Sequence, residues 1–418
     1  MKSINRNKLS VPRVVLLGVG DANGVGVVRS LGRNGVPVLG IETNLMSLGM
    51  VSRYCRGLVA PDPKKYPEDK FVDFLIRLGQ QQKTKSVLFP AREDLEIIAL
   101  RNRDKLEKYY DFALAKLEIV EKIMDKEKFC HSLENLDIPY PQTYFCGSEK
   151  EIEEISKTIA YPCIIKPTTS MEFGKEFGVK VFKANSPEQL IDSYRKTQKR
   201  GYRIIIQEII PGDDTELYSF FGYFDRNSKL LAAFTLVKIR QYPPGFGVTA
   251  LGKNADAPQI IELCTKYLQS IGYHGLMDAE FKKDSRDGKF KFIEVNARLG
   301  IQNGLALRCG VNLPLVAYND MIGGEIPHSN SCAREVKWFS MVADVRSSLP
   351  RIIKGEFSIF AWIRSLKGEK VYSVFTWDDP LPFVLQQLNI LFSLPRVLLR
   401  QLRLRVKSKS GSIPVNKD

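Results

Sequence analysis

Apolar positions in the first third of the chain fall in short runs separated by amphipathic stretches. Val14–Leu17 is wholly apolar and 86–89 nearly so, the pattern of strands covered on both faces. A further strand is expected over 36–41, after a helix over 27–34 that Gly35 ends. A charged helix over 94–109 follows Pro90. This alternation predicts a parallel sheet flanked by helices. From 117 the texture changes to a Lys- and Glu-rich helix over 118–136, closed by Pro139 and Pro141. The middle third reads as α+β. Strands are expected over 163–166, 180–183, 203–207, 217–224 and 230–237, and helices over 187–200 and 258–271. A hairpin follows, 276–281 with 290–298, joined by a turn from Lys283 to Gly288. Beyond Gly323-Gly324 the pattern weakens into scattered aromatics and a basic tail. The chain therefore divides into 1–117, 118–330 and 331–418.

The hairpin carries the densest chemistry. A two-residue period puts Glu294, Asn296 and Arg298 on one face, together with Phe290 and Phe292, and sends Ile293, Val295 and Ala297 to the other. A carboxylate, an amide and a guanidinium in file are costly to bury without partners. Mg²⁺ takes such oxygen donors and leaves room for phosphates, while Arg grips a phosphate oxygen pair. Glu280 supplies a second carboxylate if the register allows. A two-residue turn would place it opposite Val295. A three-residue loop over 286–288, with Gly288 left-handed, places it opposite Glu294, and this second register is expected.

Upstream, the apolar strand at 163–166 ends in Lys166, which either snorkels to the surface or holds an anion. The loop 168–178 behind it contains Gly174 and Gly178 and could fold over phosphates. Ile204-Ile205-Ile206-Gln207-Glu208-Ile209-Ile210 runs into the Pro211-Gly212-Asp213-Asp214 turn. It is either a plain strand with a turn or a segment offering backbone groups to a purine and carboxylates to a ribose.

Charge and composition narrow the picture. The 418 residues carry a formal net charge of +15. Basic residues are spread along the chain without a nucleic-acid-binding motif, so no nucleic-acid partner is expected. Seven scattered cysteines without a C-x-x-C pair, beside three histidines, argue against a zinc site or disulfide framework and favour a reducing cytosol. The apolar run after Lys2, Arg6 and Lys8 is too short for a signal peptide, and no run of 18 apolar residues exists. The glycine turn Gly18-x-Gly20-x-x-x-Gly24-x-Gly26 has Asn23 where a dinucleotide fingerprint needs glycine. It either packs a strand–helix crossover or binds a dinucleotide with Glu42 on the ribose. In 391–409, Arg396, Arg400, Arg403 and Lys407 form a cationic stripe beside Leu391, Leu394, Leu398 and Leu402. That helix either docks on its own protein or meets an anionic membrane at the inner face.

Taken in order, these segments resemble the ATP-grasp superfamily, in particular its carboxylate–amine ligases and the ATP-binding halves of carbamoyl-phosphate synthase. The resemblance runs from Lys126 to Gly324. It implies an α/β Rossmann-like domain over 1–117 ahead of an α+β ATP-grasp fold over 118–330, with a lid of about 140–206 and a larger subdomain of about 207–330. A small C-terminal extension completes the chain. By position, Lys126 (or Lys128) and Lys166 would bind ATP phosphates. Gln207, Glu208 and Ile210 would line the adenine, and Asp213 or Asp214 would hold the ribose. Glu280, Glu294 and Asn296 would bind two Mg²⁺ (or Mn²⁺) ions. Arg298 would meet the transferred phosphoryl group, with Lys238 and Arg240 contacting the γ-phosphate or substrate carboxylate. The phosphate loop departs from the family, Ser170-Met171-Glu172-Phe173 being bulky and acidic. The implied reaction activates a small-molecule carboxylate as an acyl-phosphate and joins it to an amine. The competing readings are a nucleotide-dependent dehydrogenase using the glycine turn and a non-catalytic, membrane-associated ATP-binding protein.

Overall fold

In the computed structural model, which describes residues 12–168, 173–328 and 332–392, the early apolar runs form the centre of a wholly parallel sheet. Its strands are β1 (Val14–Leu17), β2 (Val38–Glu42), β3 (Arg56–Val59), β4 (Ser86–Pro90) and β5 (Tyr110–Phe112), in the order β3-β2-β1-β4-β5. β1, β2 and β4 are buried throughout. Helix Ala22–Arg33 packs on the Val14 and Leu16 side, and helix Glu68–Gln80 on the Val15 and Leu17 side. The first helix starts earlier than the hydrophobic pattern suggests, because Asp21 caps it by accepting from the Gly24 amide at 3.0 Å. The helix expected over 94–109 is Glu93–Arg101, interrupted at Asn102 and resumed as the short helix Arg103–Leu106, with β5 starting just beyond the expected end. β3 has no apolar run to announce it, being a partly exposed edge strand.

The helix expected over 118–136 is two helices, Leu117–Met124 and Lys126–Glu134. Asp125 breaks it. Its backbone is extended and its side chain accepts from the amides of Glu127 and Lys128. A four-stranded antiparallel sheet follows, with β6 (Thr143–Cys146), β7 (Cys163–Pro167), β8 (Phe182–Ala184) and β9 (Ile204–Glu208) in the order β6-β9-β7-β8. Helices Glu149–Thr158 and Pro187–Gln198 close its core around Ile165, Ile206, Leu190 and Tyr194.

The third sheet has seven strands, β10 (Leu217–Phe224), β11 (Leu230–Tyr242), β12 (Val248–Asn254), β13 (Gly275–Lys283), β14 (Phe290–Asn296), β15 (Val336–Phe339) and β16 (Glu369–Tyr372). Their order is β14-β13-β10-β11-β12-β15-β16. β11 runs five residues past the expected strand, and its register shifts on either side of Arg240. The segment beyond 331 supplies β15 and β16, so it continues this sheet rather than standing apart from it. It also reaches the parallel sheet. Arg29 donates to Asp379 at 2.9 Å and to the Val374 carbonyl at 2.7 Å, with both charged side chains buried. Helix Pro258–Ser270 and the Lys126–Glu134 helix pack on the other end of the sheet, where Phe129, Tyr267 and Phe292 meet edge to face at 5.2–5.7 Å. Only the first two residues of the basic stripe over 391–409 are described.

Candidate active site

A cleft of about 1090 Å³ lies between the four-stranded sheet, the near face of the seven-stranded sheet and the helices Glu93–Arg101 and Lys126–Glu134. Lys126, Lys166, Gln207, Glu208, Ile210, Asp214, Glu280, Glu294, Asn296 and Arg298 all line it. Asp213, Lys238 and Arg240 do not.

The helix break at Asp125 makes Lys126 the first residue of its helix, facing the cleft, with Nζ 3.3 Å from the Thr168 carbonyl. Lys166 ends the buried run of β7 and is itself only 8% exposed. It donates at 2.9 Å to Gln207 Oε1 on neighbouring β9, and Gln207 Nε2 donates at 2.7 Å to Thr143 Oγ1 on β6. Three strands thus hold the ammonium through a neutral amide. Burial pushes Lys166 down to about 8, Lys126 adding repulsion and Glu294 opposing it. Burial lowers Lys126 as well, against the pull of Glu294 and Glu93. Two desolvated ammonium groups that repel each other form a ready receptor for a polyanion.

Across the cleft, Glu280 stands opposite Glu294 and Asp278 opposite Asn296. The register is the expected one, but it arises differently. Asp284 and Lys289 flank a four-residue turn, with the Asp284 amide on the Lys289 carbonyl at 2.8 Å, and Gly288 adopts φ 72°. A bulge at Ile293 between the Glu280 and Phe281 pairings then restores the register. The bulge corrects the face assignment too. Phe290 and Phe292 pack into the core with Val295, while Ile293 joins Glu294, Asn296 and Arg298 at the cleft.

Lys238, 1% exposed, donates to Glu280 Oε1 at 3.0 Å. It sits behind the acid and orients it, instead of reaching the cleft as expected. Arg240 is placed elsewhere altogether. Its guanidinium is buried against Asp344 at 2.7 Å and Ser365 Oγ at 2.8 Å, and Trp362 donates to the same carboxylate. The register shifts around Arg240 leave the strand's simple alternation unable to locate it.

At the far end, Ile209 and Ile210 give the cleft an apolar wall. The Glu208 carboxylate accepts from the Gln142 amide and from Arg286, both at 2.8 Å, so its side chain ties the four-stranded sheet to the turn between β13 and β14. Asp214 accepts from Gln241 through both oxygens, at 2.7 and 3.1 Å.

Several lining groups escaped the sequence. Asp278 is buried, its Oδ1 has no hydrogen-bond partner among the described residues, and burial together with Glu280 pushes its carboxyl up to about 8. It shares the strand parity of Glu280, so the alternation rule extended two residues back finds it. Glu93, Ile97 and Arg101 line the cleft at i, i+4 and i+8 of one helix, a spacing visible in a segment read only as charged.

The donors at Glu280, Glu294 and Asn296 are all oxygens, and one Glu280 oxygen is already held by Lys238. No group of three or more His, Cys, Asp or Glu among the described residues is placed to enclose an ion. Such a set fits Mg²⁺, which keeps waters and phosphate oxygens, better than a metal needing an all-protein cage. The glycine turn does not fit a dinucleotide. A side chain at Gly26 would collide with Asn303, and one at Gly20 would lie 2.9 Å from Glu42 Oε2. Glu42 is itself buried and bound by Arg92. These glycines serve close packing.

Residues 251–323 match the family model "Carbamoyl-phosphate synthase L chain, ATP binding domain". D-aspartate ligase of Enterococcus faecium (strain Aus0004) is 24% identical over 267 residues, covering 60% of this chain and 63% of that enzyme. D-alanine–D-alanine ligase of Pseudomonas putida (strain GB-1) is 23% identical over 191 residues, 43% of this chain and 55% of the relative. The chain thus spans less than two thirds of the curated relatives it matches. Among solved structures, the biotin carboxylase domain of Hydrogenobacter thermophilus 2-oxoglutarate carboxylase, in complex with MgADP, ADP and bicarbonate, superimposes with TM-score 0.60 at 16% identity. That match covers 76% of this chain and 71% of the other. The chain is thus similar over 251–323 to the ATP-binding domain of carbamoyl-phosphate synthase, and more broadly to two enzymes named as ligases.

Proposed function

We propose that this protein is a Mg²⁺- and ATP-dependent ligase that activates a small-molecule carboxylate and joins it to an amine. The observation that carries this is the confrontation, across one cleft, of the Lys126–Lys166 cation pair with the Glu280–Glu294–Asn296 oxygen file. Bound MgATP supplies the phosphoryl group that converts the carboxylate into an acyl-phosphate. Glu280, Glu294 and Asn296 hold two Mg²⁺ (or Mn²⁺) ions, Lys126 and Lys166 take the phosphates, and Arg298 meets the oxygens of the transferred group. Gln207, Glu208 and Ile210 border the adenine, and Asp213 or Asp214 meets the ribose. The carboxylate oxygen forms the new P–O bond as ADP leaves. The amine then attacks the acyl carbon, phosphate departs, and the ammonium proton passes to solvent. Lys238 acts by holding Glu280 in place through its 3.0 Å contact to Oε1. We assign 1–117 as a Rossmann-like domain, 118–330 as the ATP-grasp core with its lid over about 140–206, and the cytoplasm as the site of action. Both curated relatives are ligases by name, which supports the reaction class.

The test is MgATP-dependent phosphate release across pooled carboxylic acids and amines, with mass analysis of the product. An amide product is expected. Nucleotide binding without turnover on any pair would overturn the proposal. In a folded Glu294→Ala variant, release falls by at least about a hundredfold, since a carboxylate at the metal is lost.

A further inference from the structure

Asp278 is a buried acid of the cleft to which the proposed chemistry gives no task. It is 9% exposed and lines the cleft, and among the described residues its Oδ1 has no hydrogen-bond partner. A buried carboxylate oxygen without a donor costs free energy, which an arriving donor offsets. Its place along β13 narrows the choice of donor. Lys282, Glu280 and Asp278 share one face of that strand, and all three line the cleft. Lys282 Nζ donates to the Gly212 carbonyl at 2.7 Å, beside the turn proposed for the ribose. Glu280 pairs with Glu294 at the proposed metal-binding centre. Asp278 stands one strand step farther, roughly 7 Å from Glu280, on the side away from the nucleotide. A second acceptor meets it there. Gln302, 6% exposed, donates through Nε2 to Thr249 Oγ1 at 2.6 Å, which leaves Oε1 to other donors. A Cβ at Gly300 would stand 3.0 Å from both Asp278 Oδ2 and Gln302 Oε1, so the two oxygens border one small space.

Taking the ligase reading as its basis, we infer that Asp278, with Gln302 Oε1 beside it, receives the amine substrate in its ammonium form and so selects cationic amines over neutral nucleophiles. Charge decides which reactant belongs there. ATP and the carboxylate are anions, and a file of Asp278, Glu280 and Glu294 repels them wherever no metal or Arg298 intervenes. The amine is the reactant that is cationic at neutral pH. An ammonium group brings three N–H donors and no acceptor, which suits a carboxylate and an amide oxygen on one side. A further metal ion is the rival claimant. Among the described residues, however, Asp278, Glu280 and Glu294 are not placed to enclose one together. The strand step between Glu280 and Asp278 also leaves the acyl-phosphate room between the metal centre and the ammonium.

The full-length protein is given MgATP, the acids of the product screen and one of two nucleophiles. Hydroxylamine, uncharged at neutral pH, captures the acyl group as a hydroxamate while phosphate leaves. The amine found by mass analysis gives the amide. In Asp278→Asn, which keeps the size and loses the charge, kcat/KM for the cationic amine is expected to fall roughly tenfold or more relative to kcat/KM for hydroxylamine, mostly through KM. Gln302→Met shifts the same ratio in the same direction by less. Both nucleophiles report on the same active molecules, so the ratio is insensitive to any misfolded fraction. Equal losses with both nucleophiles would overturn the assignment. So would a raised Mg²⁺ requirement in Asp278→Asn, which would make the acid a metal ligand. A rise confined to KM for the carboxylate would place the ammonium on the other reactant and overturn it too. If the unmodified protein yields no hydroxamate with any acid of the screen, the ligase reading itself falls, and this assignment with it.

Discussion

Under the proposed function, Lys166 sets the pH range in which the cleft receives a triphosphate. Its ammonium loses a proton near 8 in the folded chain, against about 10.5 when unfolded. Between those values the unfolded chain holds the extra proton, so this group makes the ligand-free protein more stable as pH rises through the window. ATP affinity runs the other way. Calorimetry is expected to show binding weakening above about pH 8, and Lys166→Ala losing about 1.5–3 kcal/mol of affinity with the pH dependence flattened. Single residues were legible where strand parity was intact. Glu280, Glu294, Asn296 and Arg298 share one wall because their strands alternate from a single register. Arg240 was misplaced because the register shifts around it break that parity, and Asp344, its partner, lies 104 residues away with no local mark.

At the scale of elements, the site depends on two interruptions. Asp125 ends one helix and caps the next, and the bulge at Ile293 turns the acid file away from the core. Asp125→Ala is expected to cost about 1 kcal/mol of stability in denaturant unfolding. It also weakens MgATP binding, because Lys126 loses the frayed-end anchor that points it inward. Asp125→Asn keeps the cap and most of the affinity. Neither interruption is announced by hydrophobic period. An apolar pattern fixes which face is buried over a run of residues, but the extra residue of a bulge costs the pattern only one position. The four-residue turn and the bulge compensate each other, which is why a simpler loop led to the same Glu280–Glu294 pairing.

Across the whole molecule, one buried ion pair fastens the C-terminal segment to the parallel sheet. Asp379 receives Arg29, the Ser52 hydroxyl and the Arg53 amide, a fully satisfied set. Asp379→Ala leaves the Arg29 guanidinium buried without its counter-charge, and a loss of about 3–5 kcal/mol in unfolding free energy is expected. That a parallel sheet precedes an α+β region followed from strand and helix texture, since local period carries that information, whereas the split of that region into two sheets was implied only by the resemblance. The attachment of the segment beyond 331 did not, because β15 and β16 are four residues each and β15 joins the sheet through β12, far upstream in sequence. Cutting the gene at the glycine pair before that segment would therefore not release a tidy core. It would bare the outer margin of β12 as a row of unpaired amides and carbonyls, an open template for fibrillar self-addition.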